Sequence, residues 1–444
     1  MARRVSVAPY VVKWLILGPL IGALAGSLVI VLWNLTLACT HLVLSNLAGY
    51  HVPTTARQGA ASGSRSITRP WALPVVLGIA ALAGSALLVR FAPSESEGNG
   101  MDAAIGDLHR DPRSIRVRAM VLRLVASALT IGSGGSGGLA GPSGHGGAGI
   151  GSLFSRLFDL EERDATIAVA AGIGCAIGAL FGAPLGGAIL GAEVLYRKGF
   201  DVRVLFPCAV ASGVSYAVFG AAEGYGPLFG HLAYHFGAAQ LGWFALIGLL
   251  GGLFGLGYAK GFYGLSALFE RSTVPRLLRP MLGGVVVGAI AIAAPEVLGT
   301  GLGWVQMSLG PGLTSIPLWI VILLPVLRIV TTGLSVGSGG SGGVFGPGLV
   351  IGAFLGAAVW RVFEPHVASM GHDPAPYVIV GMTACLGPIA RSPVAVMLLA
   401  AEMTGCFPIV LPALIAVALA WFIVRTNDDT IYRSQPETRG TAPG

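Results

Sequence analysis

The residues that carry most chemical meaning in this 444-residue chain are glycines: Gly132 to Gly138 reads GSGGSGG, and Gly337 to Gly343 reads the same. Glycine has no side chain to keep an ion away, and successive N–H groups in such a run can converge on one point as an anion-binding nest. A Gly-Pro pair follows each run, Gly141-Pro142 and Gly346-Pro347. Proline there marks the first turn of a new helix, where free N–H groups and the positive end of the dipole face outward. The ligand these features suit is a small anion. A cation site would want carboxylates or carbonyl rings, and neither run contains Asp or Glu. No catalytic constellation argues for an enzyme, since the serines of the runs lack a partnered base and no HExxH or P-loop lysine occurs. Five cysteines form no CxxC pair and read as small core residues, so no metal site and no cofactor is expected.

Elements in a membrane must position these runs. The chain is 54% hydrophobic and only 11% charged, against roughly 25% charged in soluble domains, and its mean hydropathy is +0.78. Leu15 to Val31, Trp71 to Leu88, Ala119 to Ile131, Leu241 to Leu256, Met281 to Ala294 and Ile409 to Val424 are nearly free of charge. Several fall short of the roughly 20 residues that cross a bilayer upright, and many hold Gly or Pro, which predicts tilted, broken and half-spanning helices. The net charge of +7 sits in short loops and ends, with nothing to suit nucleic acid. Arg3, Arg4 and Lys13 before the first run, and Arg110, Arg113, Arg116 and Arg118 before Ala119, favour a cytoplasmic N-terminus. Arg57, Arg65 and Arg69 in the first loop weigh against it. The first run lacks a cleavage site and reads as a retained helix. The ends show no sign of an appended soluble regulatory domain.

The two glycine runs belong to an internal duplication. Val121 to Pro142 laid on Val326 to Pro347 gives 14 identities in 22 pairs, and most other pairs are conservative. Further along, Gly182 to Glu193 resembles Arg391 to Glu402, so residues 1–225 and 226–444 are expected to be two transmembrane halves with the same order of parts. Repeated halves interrupted by glycine at matching places point to a transport site between broken helices near the bilayer midplane.

Four separated stretches then carry a specific resemblance. GNGMD at Gly98 to Asp102, GLAGP at Gly138 to Pro142, GGVFGP at Gly342 to Pro347 and Tyr432 in TIYRSQ occur in the order of the signature segments of the CLC family of anion channels and anion/proton antiporters. Nearly the whole chain is similar to that family. The resemblance implies an all-α integral membrane fold of two inverted repeats, a homodimer with one independent pore per subunit, and an anion site lined by Asn99, Gly100, the backbone at Val344 and Phe345, and the Tyr432 hydroxyl. Its last stretch resembles the tyrosine that opens the family's final helix. Asn99 departs from the family's serine and offers two N–H donors where serine offers one hydroxyl, so the selectivity is expected to differ from ordinary chloride preference.

The largest departure is Ala140, which stands where the resemblance puts the gating glutamate. The inner proton-relaying glutamate would fall at Val194, next to Glu193. Alanine and valine carry no proton, and a proton route through hydrocarbon needs titratable groups in series. The expected function is therefore passive, channel-like movement of small inorganic anions, chloride foremost, across the cell membrane. The alternative is a proton-coupled chloride or fluoride antiporter using other titratable groups, with His145 the candidate. Glu193 and Glu402 occupy matching places, which suggests a structural role. Arg123 and Arg328 also match; they either raise the potential for anions inside the protein or snorkel to the headgroups.

Overall fold

The apolar runs fold as helices throughout. The computed structural model describes residues 8–59, 63–91, 100–234 and 237–438. Among them sixteen α-helices fall into two sets of eight. The first set is α1 (Tyr10–Thr40), α2 (Ala72–Phe91), α3 (Gly100–Arg110), α4 (Val117–Gly132), α5 (Ala140–Leu157), α6 (Glu162–Phe181), α7 (Pro184–Glu193) and α8 (Val202–Glu223). The second is α9 (Leu241–Arg271), α10 (Arg279–Ala293), α11 (Leu302–Ser308), α12 (Leu318–Ser335), α13 (Phe345–Phe363), α14 (Ala375–Ile389), α15 (Pro393–Thr404) and α16 (Val410–Val424). Among the described residues eight helical stretches are long and apolar enough to cross a membrane. The 31 residues of α1 or α9 rise about 46 Å, more than the roughly 30 Å hydrocarbon core, so they must tilt. The 10 residues of α7 reach only about half way across.

The sets pair member by member. α1 packs on α8 as α9 packs on α16, and α5 on α6 as α13 on α14. Glycine makes the tightest of these contacts. A methyl on Gly147 of α5 would strike the Gly172 carbonyl of α6, and one on Gly352 of α13 would strike the Gly381 carbonyl of α14. Close backbone approach of this kind replaces the hydrophobic drive that is missing between helices in lipid.

Contacts across the sets show that they are inverted. Gly138 and its repeat mate Gly343 form a reciprocal antiparallel bridge, each N–H donating to the other's carbonyl at 2.8 Å. An antiparallel bond between equivalent residues requires a local two-fold axis. Two more reciprocal exchanges obey it. Ser127 meets Ser341 at 2.7 Å while Thr332 meets Ser136 at 3.1 Å. Glu193, closing α7, accepts from Val394 and Ala395 N–H at the start of α15 at 3.2 and 2.7 Å. Glu402, in the last turn of α15, accepts from Leu185 and Gly186 N–H at the start of α7 at 3.1 and 2.7 Å. Each carboxylate thus satisfies the orphan first-turn donors of the partner helix.

Candidate functional site

The axis brings two helix starts face to face. α5 begins at Ala140 and α13 at Phe345, directly after the Gly138–Gly343 bridge. A Cβ on Gly141 would stand 2.6 Å from the Gly343 Cα, and one on Gly138 would stand 2.9 Å from the Gly346 nitrogen. Only glycine allows the two chains to cross so closely. α3 abuts the same point, since a Cβ on Gly100 would lie 2.9 Å from the Gly141 carbonyl oxygen.

The glycine run itself does not make the nest that its composition suggests. In the first run Ser133, Gly134 and Gly135 donate to carbonyls of α4, Ser136 N–H to the Ser335 hydroxyl, Gly137 N–H to Gly299 O and Gly138 N–H to Gly343 O. The fold spends these donors on itself. The donors that have no intrahelical carbonyl to reach are those of the first turns, at Ala140 and Gly141 and at Phe345 and Gly346. These sit at two opposed positive dipole ends, where an anion is stabilised.

The remaining expected residues gather around them. Gly100, Ala140, Val344, Phe345 and Tyr432 are all buried, and Asn99 lies outside the described residues. Tyr432 is wholly buried, and its hydroxyl has no hydrogen-bond partner among the described residues. No helix starts there: residues 425–438 form turns, contrary to the expectation of a final helix opened by this tyrosine. That segment is fixed by side chains instead. Asp102 of α3 accepts from Ser434 N–H at 2.8 Å, and Tyr263 of α9 donates to Ile431 O at 2.9 Å.

Arg328 does not snorkel. It is fully buried, and its guanidinium donates to Val297 O at 2.6 Å and Gly299 O at 2.5 Å, holding that strand of chain against the first glycine run. Arg123 is buried likewise. His145 lies inside α5, 1% exposed, with neither ring nitrogen in a hydrogen bond of good geometry and the Gly100 backbone and Arg123 as its polar surroundings. Val194 is the residue after α7, buried among apolar neighbours, and its backbone is engaged on both sides: its N–H donates to Leu190 O at 2.9 Å and its carbonyl accepts from Gln435. Sequence reading missed Tyr258, a buried residue of α9 whose hydroxyl donates to Val344 O at 2.7 Å and so fixes the start of α13. A tyrosine in an apolar helix gives no signal of that job.

Two cavities lie near these elements. At the helix starts Trp33, Leu139, Leu180, Phe181, Leu228 and Leu302 form a collar around about 10 Å³, the room needed by roughly one water. By the segment that carries Tyr432, about 580 Å³ is bounded by Asp102, Tyr263, Arg276, Arg279, Ser338 and Arg433.

The model of the voltage gated chloride channel family matches residues 77–425. The chain belongs to this family, the CLC proteins. A putative chloride channel protein ClcB-like from Ralstonia nicotianae is 30% identical over 383 residues, covering 81% of this chain and 84% of the relative. The H(+)/Cl(-) exchange transporter ClcA of Vibrio parahaemolyticus is 26% identical over 383 residues, covering 83% and 80%. The crystal structure of a CLC-type fluoride/proton antiporter superposes with a TM-score of 0.80 at 20% identity, covering 96% of this chain and 98% of that one. A slow cyanobacterial Cl−/H+ antiporter gives 0.78 at 22%, covering 96% and 97%. The CLC fold and membership of an anion-transporting, multi-pass membrane family are therefore established for this chain.

Proposed function

We propose that this CLC protein conducts small inorganic anions, chloride foremost, down their electrochemical gradient, without proton exchange. The observation that carries this reading is Ala140: a wholly buried methyl group at the first residue of α5, between the opposed helix starts. Donors from α5 and α13, with the Tyr432 hydroxyl, suit an anion there, and Ala140 has no charge with which to compete for the place. Val194 at the inner station is equally unable to hand on a proton. The path runs from the wide arginine-lined cavity to the narrow apolar collar.

The wide cavity is read as cytoplasmic. Around that end Lys13 pairs with Asp164, Arg156 bonds the Arg113 carbonyl, Lys198 pairs with Glu437, and Arg203 pairs with Asp201. The opposing arginines of the first loop are explained by local work: Arg57 donates to Gly226 O at 3.0 Å and caps α6 at Phe181 O, Arg65 pairs with the buried Glu296 at 2.5 Å, and Arg69 donates to Asn46 O at 3.2 Å. Arginines held by local bonds do not report on orientation, so the positive-inside rule supports a cytoplasmic N-terminus, and the cell membrane is the location proposed. The family resemblance adds a homodimer with a pore in each subunit, built of the halves 1–225 and 226–444.

The second reading, proton-coupled chloride or fluoride exchange, is favoured by His145, a buried imidazole behind the α5 start with neither nitrogen well bonded, and by the exchangers among the relatives. Proton-driven uphill uptake of chloride, expected of exchange alone, separates the readings, and Ala140→Glu tests the placement of the site on which both rest. A free carboxyl titrates near pH 4.3, so in the conduction reading the variant is blocked at neutral pH and recovers as the pH falls below about 5. Flux through A140E that equals the parent at every pH contradicts the placement of the site.

A further inference from the structure

The Tyr432 hydroxyl has no hydrogen-bond partner among the described residues, and the chain around it forms no helix. Its position depends on what holds residues 427–435. Two buried side chains there make three hydrogen-bond contacts each, Thr430, which also reaches Ile389 O at 3.0 Å, and Gln435, 2% exposed. Its amide nitrogen donates to Val194 O at 2.8 Å and to Ala390 O at 3.2 Å. These residues directly follow α7 and α14, and carbonyls at helix ends have no intrahelical donor. One amide therefore ties the segment to two helix ends. The Gln435 Oε1 lies 2.9 Å from the Thr430 hydroxyl, and that hydroxyl accepts from Tyr432 N–H at 3.2 Å. The tyrosine backbone is thus linked through Thr430 and Gln435 to the end of α7.

We propose that Gln435 is the positioning residue for the Tyr432 hydroxyl, and through it sets the affinity for the conducted anion. The inference rests on the reading that Tyr432 lines the path. A hydroxyl with no protein partner is aimed only by its own backbone, and an O–H···anion bond weakens steeply as distance and angle drift. Both amide protons and the amide oxygen of Gln435 are engaged, so leucine, of similar size, removes every one of these bonds without opening a large void.

The test is a double-mutant cycle on the full chain in liposomes, reading the chloride concentration that half-saturates flux for the parent, Tyr432→Phe, Gln435→Leu and the pair. Loss of a hydrogen bond to an ion is worth about a tenfold change, and each single variant is expected to raise the half-saturating concentration by about that factor. The pair is expected to match Tyr432→Phe within about twofold, because Gln435 acts only through that hydroxyl. Effects that multiply, or a Gln435→Leu half-saturation equal to the parent's, overturn the inference; a purely structural role lowers folded yield and maximal flux and leaves half-saturation in place. If Gln435→Leu does not fold, Thr430→Val enters the same cycle with the same two outcomes. Should Tyr432→Phe leave half-saturation unchanged, the placement of Tyr432 on the path falls and the inference with it. Multiplying effects beside an active Tyr432→Phe remove Gln435's role alone.

Discussion

At the scale of single residues, the geometry turns on atoms that are missing. Gly141 and Gly343 meet because neither has a Cβ; a methyl on Gly141 would stand 2.6 Å from one backbone atom and 3.2 Å from another, and backbone cannot move aside as a side chain can. Gly141→Ala is expected to destabilise by about 1–3 kcal/mol as an overpacked core site does, and to abolish flux by parting the two helix starts. Gly257→Ala is the control: its added methyl meets nothing within 4 Å on α9, so melting and flux stay at the parent's level. Equal behaviour of the two variants contradicts the crossing geometry. Gly138, Gly141, Ala140 and Phe345 were legible in the sequence because they sit within a motif that occurs twice. Tyr258 and Gln435 were not, since they act through long-range bonds to carbonyls, one for Tyr258 and two for Gln435, that no spacing rule announces.

At the scale of elements, α7 and α15 hold each other by exchanged carboxylates. Replacing Glu193 or Glu402 with glutamine leaves one acceptor where two N–H groups converge, and is expected to lower stability by about 1–2 kcal/mol for either residue, read as a fall in the melting temperature of the detergent-solubilised protein. A fall for one and not the other contradicts the reciprocal arrangement. The collar formed by Leu139, Phe181, Leu228 and Leu302 makes a second prediction. With room for about one water, an apolar constriction of this kind limits conduction by drying, so Leu302→Ser is expected to raise anion flux several-fold, and unchanged flux would place the narrowest point elsewhere. Helix starts and the matching places of the two glutamates followed from the repeat, while the capping of each helix by the other's glutamate is seen only in the structure. The fate of the glycine-run amides did not, because whether an N–H is free depends on what the rest of the chain brings to it: here Ser335, Gly299 and Gly343 use the donors that composition alone offers to an ion. The turn at Tyr432 in place of a helix has the same origin, for Asp102, Tyr263 and Gln435 supply the partners that a helix would have supplied to itself.

At the scale of the molecule, an almost symmetric frame encloses an asymmetric path. The bridge, the serine–threonine pairs and the glutamate caps all obey a two-fold exchange, whereas the space at the helix starts and the space by the Tyr432 segment differ, at about 10 and about 580 Å³. The asymmetry comes from the residues in which the repeats differ: Leu139-Ala140 stands against Val344-Phe345, and Tyr432 has no mate at the collar. The duplicated frame is readable in the chain itself because a duplication leaves identities; the width and lining of the two mouths are not, since they are set by distant segments such as the first loop, anchored through Arg57 and Arg65. The measurement that bears most directly on the whole account is chloride movement through the purified protein in potassium-loaded liposomes, with and without an imposed proton gradient. The account predicts flux that needs a potassium ionophore to relieve the charge it moves and that ignores the proton gradient. Chloride driven uphill by protons alone would contradict it.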